Sequence, residues 1–97
     1  MRATPGVSLV LFGSPECGAC RRAEAVLPGA VAADMRVFRV DVREAMALTR
    51  EFEVFHLPTL FLYRDGRYHA RIDCELTPSA LRQRLSAALA APAEDEP

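Results

Sequence analysis

Residues 7–20 read VSLVLFGSPECGAC and change character half-way through. The first half is almost entirely apolar and contains β-branched valines, a pattern that is typical of a central strand covered on both faces. A Gly-Ser-Pro turn ends this strand, and a helix is predicted to begin at Cys17. Cys17 and Cys20 are therefore expected to lie one helical turn apart, at the junction of a strand and a helix.

The rest of the chain continues this alternation within 97 residues, which is enough for one domain with one core. Pro28 and Gly29 are predicted to interrupt the first helix. The other predicted elements are a strand at 35–42, a helix at 43–52, strands at 59–63 and 68–73, and a helix at 78–91. Residues 1–6 and 92–97 are expected to be flexible. The order β-α-β-α-β-β-α predicts an α/β fold with a mixed four-stranded sheet flanked by helices.

Short polar motifs are predicted to join these elements. Asp41 is expected to cap the helix at 43–52, and Thr77 the helix at 78–91. Asp65-Gly66 is typical of a two-residue hairpin turn between the last two strands. Along the last strand, alternation predicts one face with Tyr68, Ala70 and Ile72, and the other with His69, Arg71 and Asp73.

The composition disfavours several classes of protein. A formal net charge of −1 gives no electrostatic attraction toward nucleic acid or an anionic membrane. The longest apolar run, at 7–12, is too short to span a bilayer and lacks the flanks of a signal peptide. A cytoplasmic chain without nucleic-acid or membrane partners is therefore expected. Three cysteines are an odd number for a secreted disulfide scaffold, and close cysteines in a reducing compartment are more often redox or metal residues.

Two thiols three positions apart suit a structural disulfide, half of a metal site or a redox pair. Their Cβ atoms would lie about 5–6 Å apart on one helix face, close enough for a disulfide. The closed loop is so small that the bond would remove little unfolded-state entropy, which disfavours a structural role. A tetrahedral metal site needs two more ligands, and the candidates Cys74, His56 and His69 form no second close pair. The spacing favours a redox pair over a metal site or incidental core cysteines.

The two thiols are not expected to be equivalent. The helix N-terminus favours a thiolate at Cys17, whereas Cys20 should be more buried. This asymmetry predicts that Cys17 attacks a substrate disulfide and that Cys20 resolves the mixed disulfide. Gly18 and Ala19 are small enough to leave room for the incoming chain. A Glu16 carboxylate near the sulfur would raise the pKa of the Cys17 thiol.

Three motifs together resemble the thioredoxin superfamily: CGAC at 17–20, HLPTLFLY at 56–63 and RDG at 64–66. The resemblance runs from about Val7 to Leu89. It implies a cis peptide between Leu57 and Pro58 beside the cysteine pair, and backbone groups of Leu57 that bind extended substrate chains. Further substrate-binding residues implied by the resemblance are Pro58, Thr59 and Cys74.

The sequence also departs from the family pattern. Its short N-terminal region resembles the trimmed core shared with glutaredoxins. Glu16 replaces an aromatic residue, and Ala19 replaces the proline of thioredoxins. Leu11 occupies the position of a buried aspartate that helps to move protons to the second cysteine, and the lysine partner of that aspartate would fall near Val37. Proton transfer from Cys20 is therefore expected to use water, Glu16 or a substrate group, with slower or more specialised exchange.

Two further residues each have two interpretations. Cys74 is either a buried small hydrophobe or a third thiol within reach of the pair, open to glutathione or regulatory oxidation. His56 is either a charged neighbour that tunes the Cys17 thiolate or a solvated loop histidine.

These features predict a monomeric thiol–disulfide oxidoreductase that exchanges electrons with protein or small-molecule disulfides through Cys17 and Cys20. No metal or organic cofactor is expected, and a partner reductase or glutathione would supply the electrons. The alternative is a non-catalytic module of the same fold that binds extended peptides. The missing aspartate at position 11 and the absence of tryptophan favour this alternative. The intact cysteine pair and Pro58 argue against that alternative, and a zinc-binding module is a third interpretation.

Overall fold

Strands and helices alternate along residues 6–97, the part of the chain that this computed structural model describes. The elements are β1 (Val7–Gly13), α1 (Gly18–Ala30), β2 (Arg36–Asp41), α2 (Met46–Glu51), β3 (Thr59–Arg64), β4 (Arg67–Ile72) and α3 (Pro78–Ala90). The sheet order is β2-β1-β3-β4. β1 runs parallel to β2 and antiparallel to β3, and β3 and β4 are antiparallel. The predicted mixed four-stranded α/β fold is therefore confirmed.

The sheet carries a separate apolar cluster on each face, which explains why β1 is apolar except for Ser8 and the terminal Gly13. Leu9 and Leu11 point toward α1 and α3, whereas Val10 and Phe12 point to the opposite face. The first cluster also contains Ala23, Leu27, Ala30, Leu60, Leu62, Ala70, Ile72, Leu81, Leu85 and Ala88. The second is mostly aromatic, with Phe61, Tyr63 and Tyr68, and Phe52 from the segment after α2 packs against it. A central strand covered by both clusters is buried on both faces, and its one polar side chain, Ser8, is buried as well.

The predicted interruption of α1 at Pro28 was wrong. The helix continues through Pro28 to Ala30, and the Val31 N–H donates to the Leu27 carbonyl at 3.0 Å beyond it. A proline in the last turn removes one backbone hydrogen bond, from its own nitrogen to the Glu24 carbonyl. That carbonyl lies on an exposed residue and has access to water.

The second helix is shorter than the predicted 43–52. Asp41 accepts a hydrogen bond from the Arg43 N–H at 2.9 Å through its side chain, and its carbonyl accepts from the N–H groups of Glu44 and Ala45. Asp41 therefore closes a separate turn over residues 42–44. α2 begins only after this turn, and its N-cap Ala45 offers no side-chain acceptor. The prediction failed because an aspartate caps turns and helices by the same hydrogen bonds.

A β-bulge in β4 breaks the predicted alternation. The register shifts between two successive pairs, Leu62 with Ala70 and Tyr63 with Tyr68, so that His69 is the extra residue. Tyr68 joins the aromatic cluster while Ala70 and Ile72 join the opposite one, because an inserted residue reverses which face each side chain meets. His69 is buried and its Nε2 lies 2.6 Å from the Ala88 carbonyl oxygen. The predicted common face for Tyr68, Ala70 and Ile72 was therefore wrong.

The hairpin and the C-terminal segment complete the sheet edge. Asp65 and Gly66 have φ values of 52° and 78°, as a two-residue hairpin turn requires. Beyond α3, the Glu94 N–H donates to the His69 carbonyl at 2.7 Å, and its Oε1 accepts from the Arg71 N–H at 3.0 Å. Glu94 thus covers part of the outer edge of β4. The expected flexibility of 92–97 stays a prediction, and that of residues 1–5 lies outside the described residues.

Candidate active site

Cys17 is the N-cap of α1, so the helix begins at Gly18, one residue later than predicted. Its backbone is extended, with φ −87° and ψ 112°, and its Sγ accepts a hydrogen bond from the Cys20 N–H at 3.1 Å. A sulfur at the N-cap occupies the position where serine or aspartate usually satisfies a free helix N–H. The half-buried Cys17 thiol therefore faces the positive end of the helix and remains accessible.

Cys20 lies one turn further along α1 and is only 4% exposed. A Cβ added at Gly13, the last residue of β1, would lie 3.2 Å from the Cys20 Sγ. The strand therefore ends in a residue without a side chain at the point where the thiol is seated. Burial and, to a smaller extent, the hydrogen bond to the Cys17 sulfur raise the pKa of Cys20 to about 11.

The pKa of Cys17 shifts the other way. A hydrogen bond from the Cys20 thiol lowers it most, the backbone N–H groups of Cys20 and Ala19 lower it as well, and the Arg21 charge adds a smaller attraction. Burial opposes these effects only in part. Both residues are free thiols. The pair therefore combines an accessible thiol that ionises easily with a buried thiol that keeps its proton.

We predict that replacing Cys20 by alanine raises the pKa of Cys17, because the strongest stabilising contact of the thiolate is lost. The wild-type Cys17 should ionise below the usual pKa of a cysteine, and the variant should ionise at higher pH. Alkylation by iodoacetamide as a function of pH measures both. Cys74→Ala removes a different thiol and should leave the Cys17 titration unchanged; an unchanged titration in Cys20→Ala would contradict the prediction.

The loop before β3 brings several predicted substrate-binding residues together. The peptide bond between Leu57 and Pro58 is cis. Both residues line a cavity of about 180 Å³ with His56 and Cys74, and burial raises the pKa of the Cys74 thiol. The buried Thr59 holds the loop by donating from its Oγ1 to the His56 carbonyl at 2.7 Å. The lining of this cavity does not include Cys17, Gly18 or Ala19.

The two residues expected to tune Cys17 face solvent. Glu16 is exposed, and its carboxylate lies 3.7 Å from the guanidinium of Arg43, which also forms hydrogen bonds with Asp41. That guanidinium lowers the pKa of the Asp41 carboxyl group. The exposed His56 contributes its carbonyl to the Thr59 hydrogen bond. Tuning of Cys17 by Glu16 or His56 stays a prediction.

The strand register reveals a charged pair that the sequence analysis missed. Leu11 is buried in the helix-side cluster, and its partner on β2 is Arg39, whereas Val37 pairs with Leu9. The Arg39 Nε donates to the carboxylate of Glu24 on α1. A signal existed in the spacing, because Glu24 follows Cys20 by four residues and such residues share a helix face. The Arg39 contact depends on how β2 pairs with β1, which the sequence does not encode locally.

Among residues 6–97, no three side chains of His, Cys, Asp or Glu converge to hold a metal ion. No helix in the same range is long and apolar enough to cross a membrane.

Comparison with known proteins adds a family to this geometry. The family model described as Thioredoxin matches residues 2–87. The chain belongs to the thioredoxin family. It is 35% identical over 81 residues to a thioredoxin of Mycobacterium tuberculosis (strain ATCC 25618 / H37Rv), covering 80% of this chain and 70% of that protein. Membership of the thioredoxin family indicates a thiol–disulfide oxidoreductase in general.

Solved structures resemble the fold closely. Trxlp from Edwardsiella tarda EIB202 superimposes with a TM-score of 0.72 at 32% identity, over 84% of each chain. Oxidised mitochondrial thioredoxin 3 from Saccharomyces cerevisiae gives a TM-score of 0.74 at 26% identity, over 89% of this chain and 82% of that one. These similarities extend over most of the thioredoxin fold on both sides of each comparison.

Proposed function

We propose that this member of the thioredoxin family exchanges electrons with disulfides through Cys17 and Cys20, Cys17 as the attacking thiol and Cys20 as the resolving thiol. The observation that carries the proposal is the opposite character of the two sulfurs at the start of α1. The pKa of Cys17 is lowered and its sulfur is accessible, whereas Cys20 is buried and its pKa is about 11. A thiolate attacks and a thiol does not, so this difference supports attack by Cys17 followed by resolution by Cys20.

The first step forms a mixed disulfide. The Cys17 thiolate attacks one sulfur of the substrate disulfide, the substrate S–S bond breaks, and the departing sulfur leaves as a thiolate that takes up a proton. In the second step Cys20 loses its proton and attacks the Cys17 sulfur. The bond between Cys17 and the substrate breaks, the second substrate sulfur is protonated, and the disulfide between Cys17 and Cys20 remains. Two electrons have moved from the pair to the substrate, and a reductase or glutathione returns them.

We also propose that the substrate binds at the loop before β3. Leu57, Pro58 and Cys74 line one cavity, and Thr59 anchors the loop from behind. An extended chain would lie along the loop and present its disulfide to Cys17. Gly18 and Ala19 carry almost no side chain, which leaves the approach to the sulfur open. Protein disulfides in extended segments are therefore the substrate class that we propose, with small-molecule disulfides as simpler substrates.

A redox titration of the thiols tests this proposal. The protein is equilibrated in glutathione or dithiothreitol buffers of graded potential, and free thiols are counted by alkylation and mass spectrometry. We expect one two-electron transition between about −270 and −120 mV, the span of known oxidoreductases with this chemistry. Cys17→Ser should abolish the transition, and Cys74→Ser should preserve it. If the Cys17–Cys20 disulfide never forms in this range, the proposal is wrong.

A further inference from the structure

A cavity of about 260 Å³ lies behind the resolving thiol. Its lining is mostly apolar and comes from β1, β2, α1 and the segment before α1, but Cys20 shares it with four charged residues. These are Arg21 and Glu24 from α1, and Arg39 and Asp41 from β2. The volume is large enough for several water molecules, and the polar groups offer them hydrogen bonds. The buried sulfur is thus adjacent to a space that water and charge can reach.

The second step of the proposed reaction requires a proton acceptor for Cys20. Burial is the main cause of the raised pKa of Cys20 and persists when Cys17 is bonded to substrate, so this thiol enters the second step with its proton. β1 offers no such group, since the residues by which it lines the cavity are Leu11 and Gly13. A group that removes the proton as the sulfur attacks would therefore accelerate this step.

Of the two carboxylates that residues 6–97 place on the cavity wall, Glu24 and Asp41, Glu24 has the freer oxygen. Both oxygens of Asp41 accept hydrogen bonds from Arg43. Glu24 accepts from Arg39 through Oε1, and its Oε2 makes no hydrogen bond within residues 6–97. The other charged residue of α1 on the cavity wall, Arg21, donates to the Pro15 carbonyl at 2.7 Å. Glu16, a further acidic group nearby, lies against Arg43 and does not line the cavity.

The position of Glu24 suits a relay. Glu24 follows Cys20 by four residues, which places both side chains on one face of α1 with Cβ atoms about 5–6 Å apart. The Glu24 side chain is 44% exposed, so a proton that it receives can pass on to bulk water. Its contact with Arg39 joins α1 to β2 across the cavity and holds the carboxylate beside it.

We propose that Glu24 accepts, through water in this cavity, the proton that Cys20 loses during resolution of the mixed disulfide. The Cys20 thiol gives its proton to the water as its sulfur attacks Cys17, and the water gives a proton to the Glu24 carboxylate. The new S–S bond forms, the bond between Cys17 and the substrate breaks, and the departing thiolate is protonated from solvent. Glu24 then releases its proton to solvent. Arg39 is a positioning residue for this carboxylate.

This inference rests on the proposed function, and a reagent that reports the two steps separately tests both. Reduced protein in a Cys74→Ser background is mixed with dithiobis(nitrobenzoate) in a stopped-flow instrument. Attack by Cys17 releases a first equivalent of nitrothiobenzoate, and attack by Cys20 on the mixed disulfide releases a second. We expect Glu24→Gln to slow the second release about tenfold at neutral pH and to leave the first unchanged within about twofold.

The pH profile distinguishes a proton acceptor from a structural contact. Without Glu24, removal of the Cys20 proton depends on hydroxide, so the second rate should rise about tenfold per pH unit between about pH 6 and 9. With Glu24 present the same rate should rise less steeply. Glu24→Asp keeps a carboxylate and should restore part of the rate. Glu51→Gln removes an equal charge from α2 and should match the wild type.

Each outcome decides one claim. If the wild type releases both equivalents and Glu24→Gln shows the same second rate and pH profile, the inference about Glu24 is wrong and the proposed function stands. If both releases slow equally in Glu24→Gln, the residue acts on the fold or the field and not as a proton acceptor. If the wild type releases one equivalent only, there is no resolution step, and the proposed function fails together with the inference.

Discussion

Replacing Cys17 by serine is expected to abolish the reduction of insulin by this protein in the presence of dithiothreitol, to less than about one thousandth of the wild-type rate. A serine hydroxyl at the N-cap keeps the hydrogen bond to the Cys20 N–H and therefore preserves the helix start. It supplies no nucleophile that can attack sulfur at neutral pH. Cys20 does not replace it, because that thiol is only 4% exposed and keeps its proton.

The variant Cys20→Ser is expected to fail differently. Its Cys17 still attacks, but no second thiol releases the product, so a covalent adduct with the substrate accumulates. Mass spectrometry of the alkylated protein should find this adduct on the peptide that contains Cys17 and not on the peptide that contains Cys74. An adduct on Cys74 alone would reverse the assignment of the attacking thiol. Absence of activity in the wild type as well would favour the alternative function, a non-catalytic module that binds extended peptides.

The fold could be predicted because its signals are local. The apolar run at 7–12 specifies a strand buried on both faces, and Asp65-Gly66 specifies the hairpin without reference to distant residues. The failures arise where one pattern suits two structures. Asp41 caps a turn as well as it would cap a helix, and α1 accepts Pro28 in its last turn. The bulge at His69 has no local signal, since it appears only when β4 is aligned with β3.

In the candidate site, too, local features could be predicted from the sequence and long-range contacts could not. The asymmetry between Cys17 and Cys20 follows from their positions in the first turn of one helix, so sequence spacing is sufficient to predict it. The pairing of Arg39 with Glu24 joins β2 to α1 and depends on the register of the parallel strands. The family resemblance implied only where a lysine partner of an aspartate would fall, near Val37, and did not point to Arg39, because no local pattern fixes which β2 residue lies beside Leu11. A one-residue shift would also have exchanged the two faces of β2.

Phe61 is expected to be the most sensitive position in the aromatic cluster. It is 0% exposed, and its ring centroid lies 5.6 Å from those of Phe12 and Tyr68 and 5.5 Å from that of Phe52. The Arg71 guanidinium lies 5.3 Å from the same centroid. Truncation to alanine leaves a cavity among four groups on two other strands and the segment after α2, which cannot all move inward together. We therefore expect Phe61→Ala to lower the free energy of unfolding by about 3–5 kcal/mol.

A loss of this size removes a large part of the stability of a small domain, which is typically about 5–15 kcal/mol. Urea denaturation followed by far-ultraviolet circular dichroism measures it without requiring a tryptophan, which the chain lacks. Phe55→Ala deletes the same side chain at a position that is 85% exposed and should change the free energy of unfolding by less than about 0.5 kcal/mol.

Phe61 pairs with Val10 on β1, the strand that ends against Cys20, and lies two residues after Thr59 on the strand that follows Pro58. Equal denaturation midpoints for the two variants would show that the aromatic cluster does not stabilise the strands that position the cysteine pair and the proline loop.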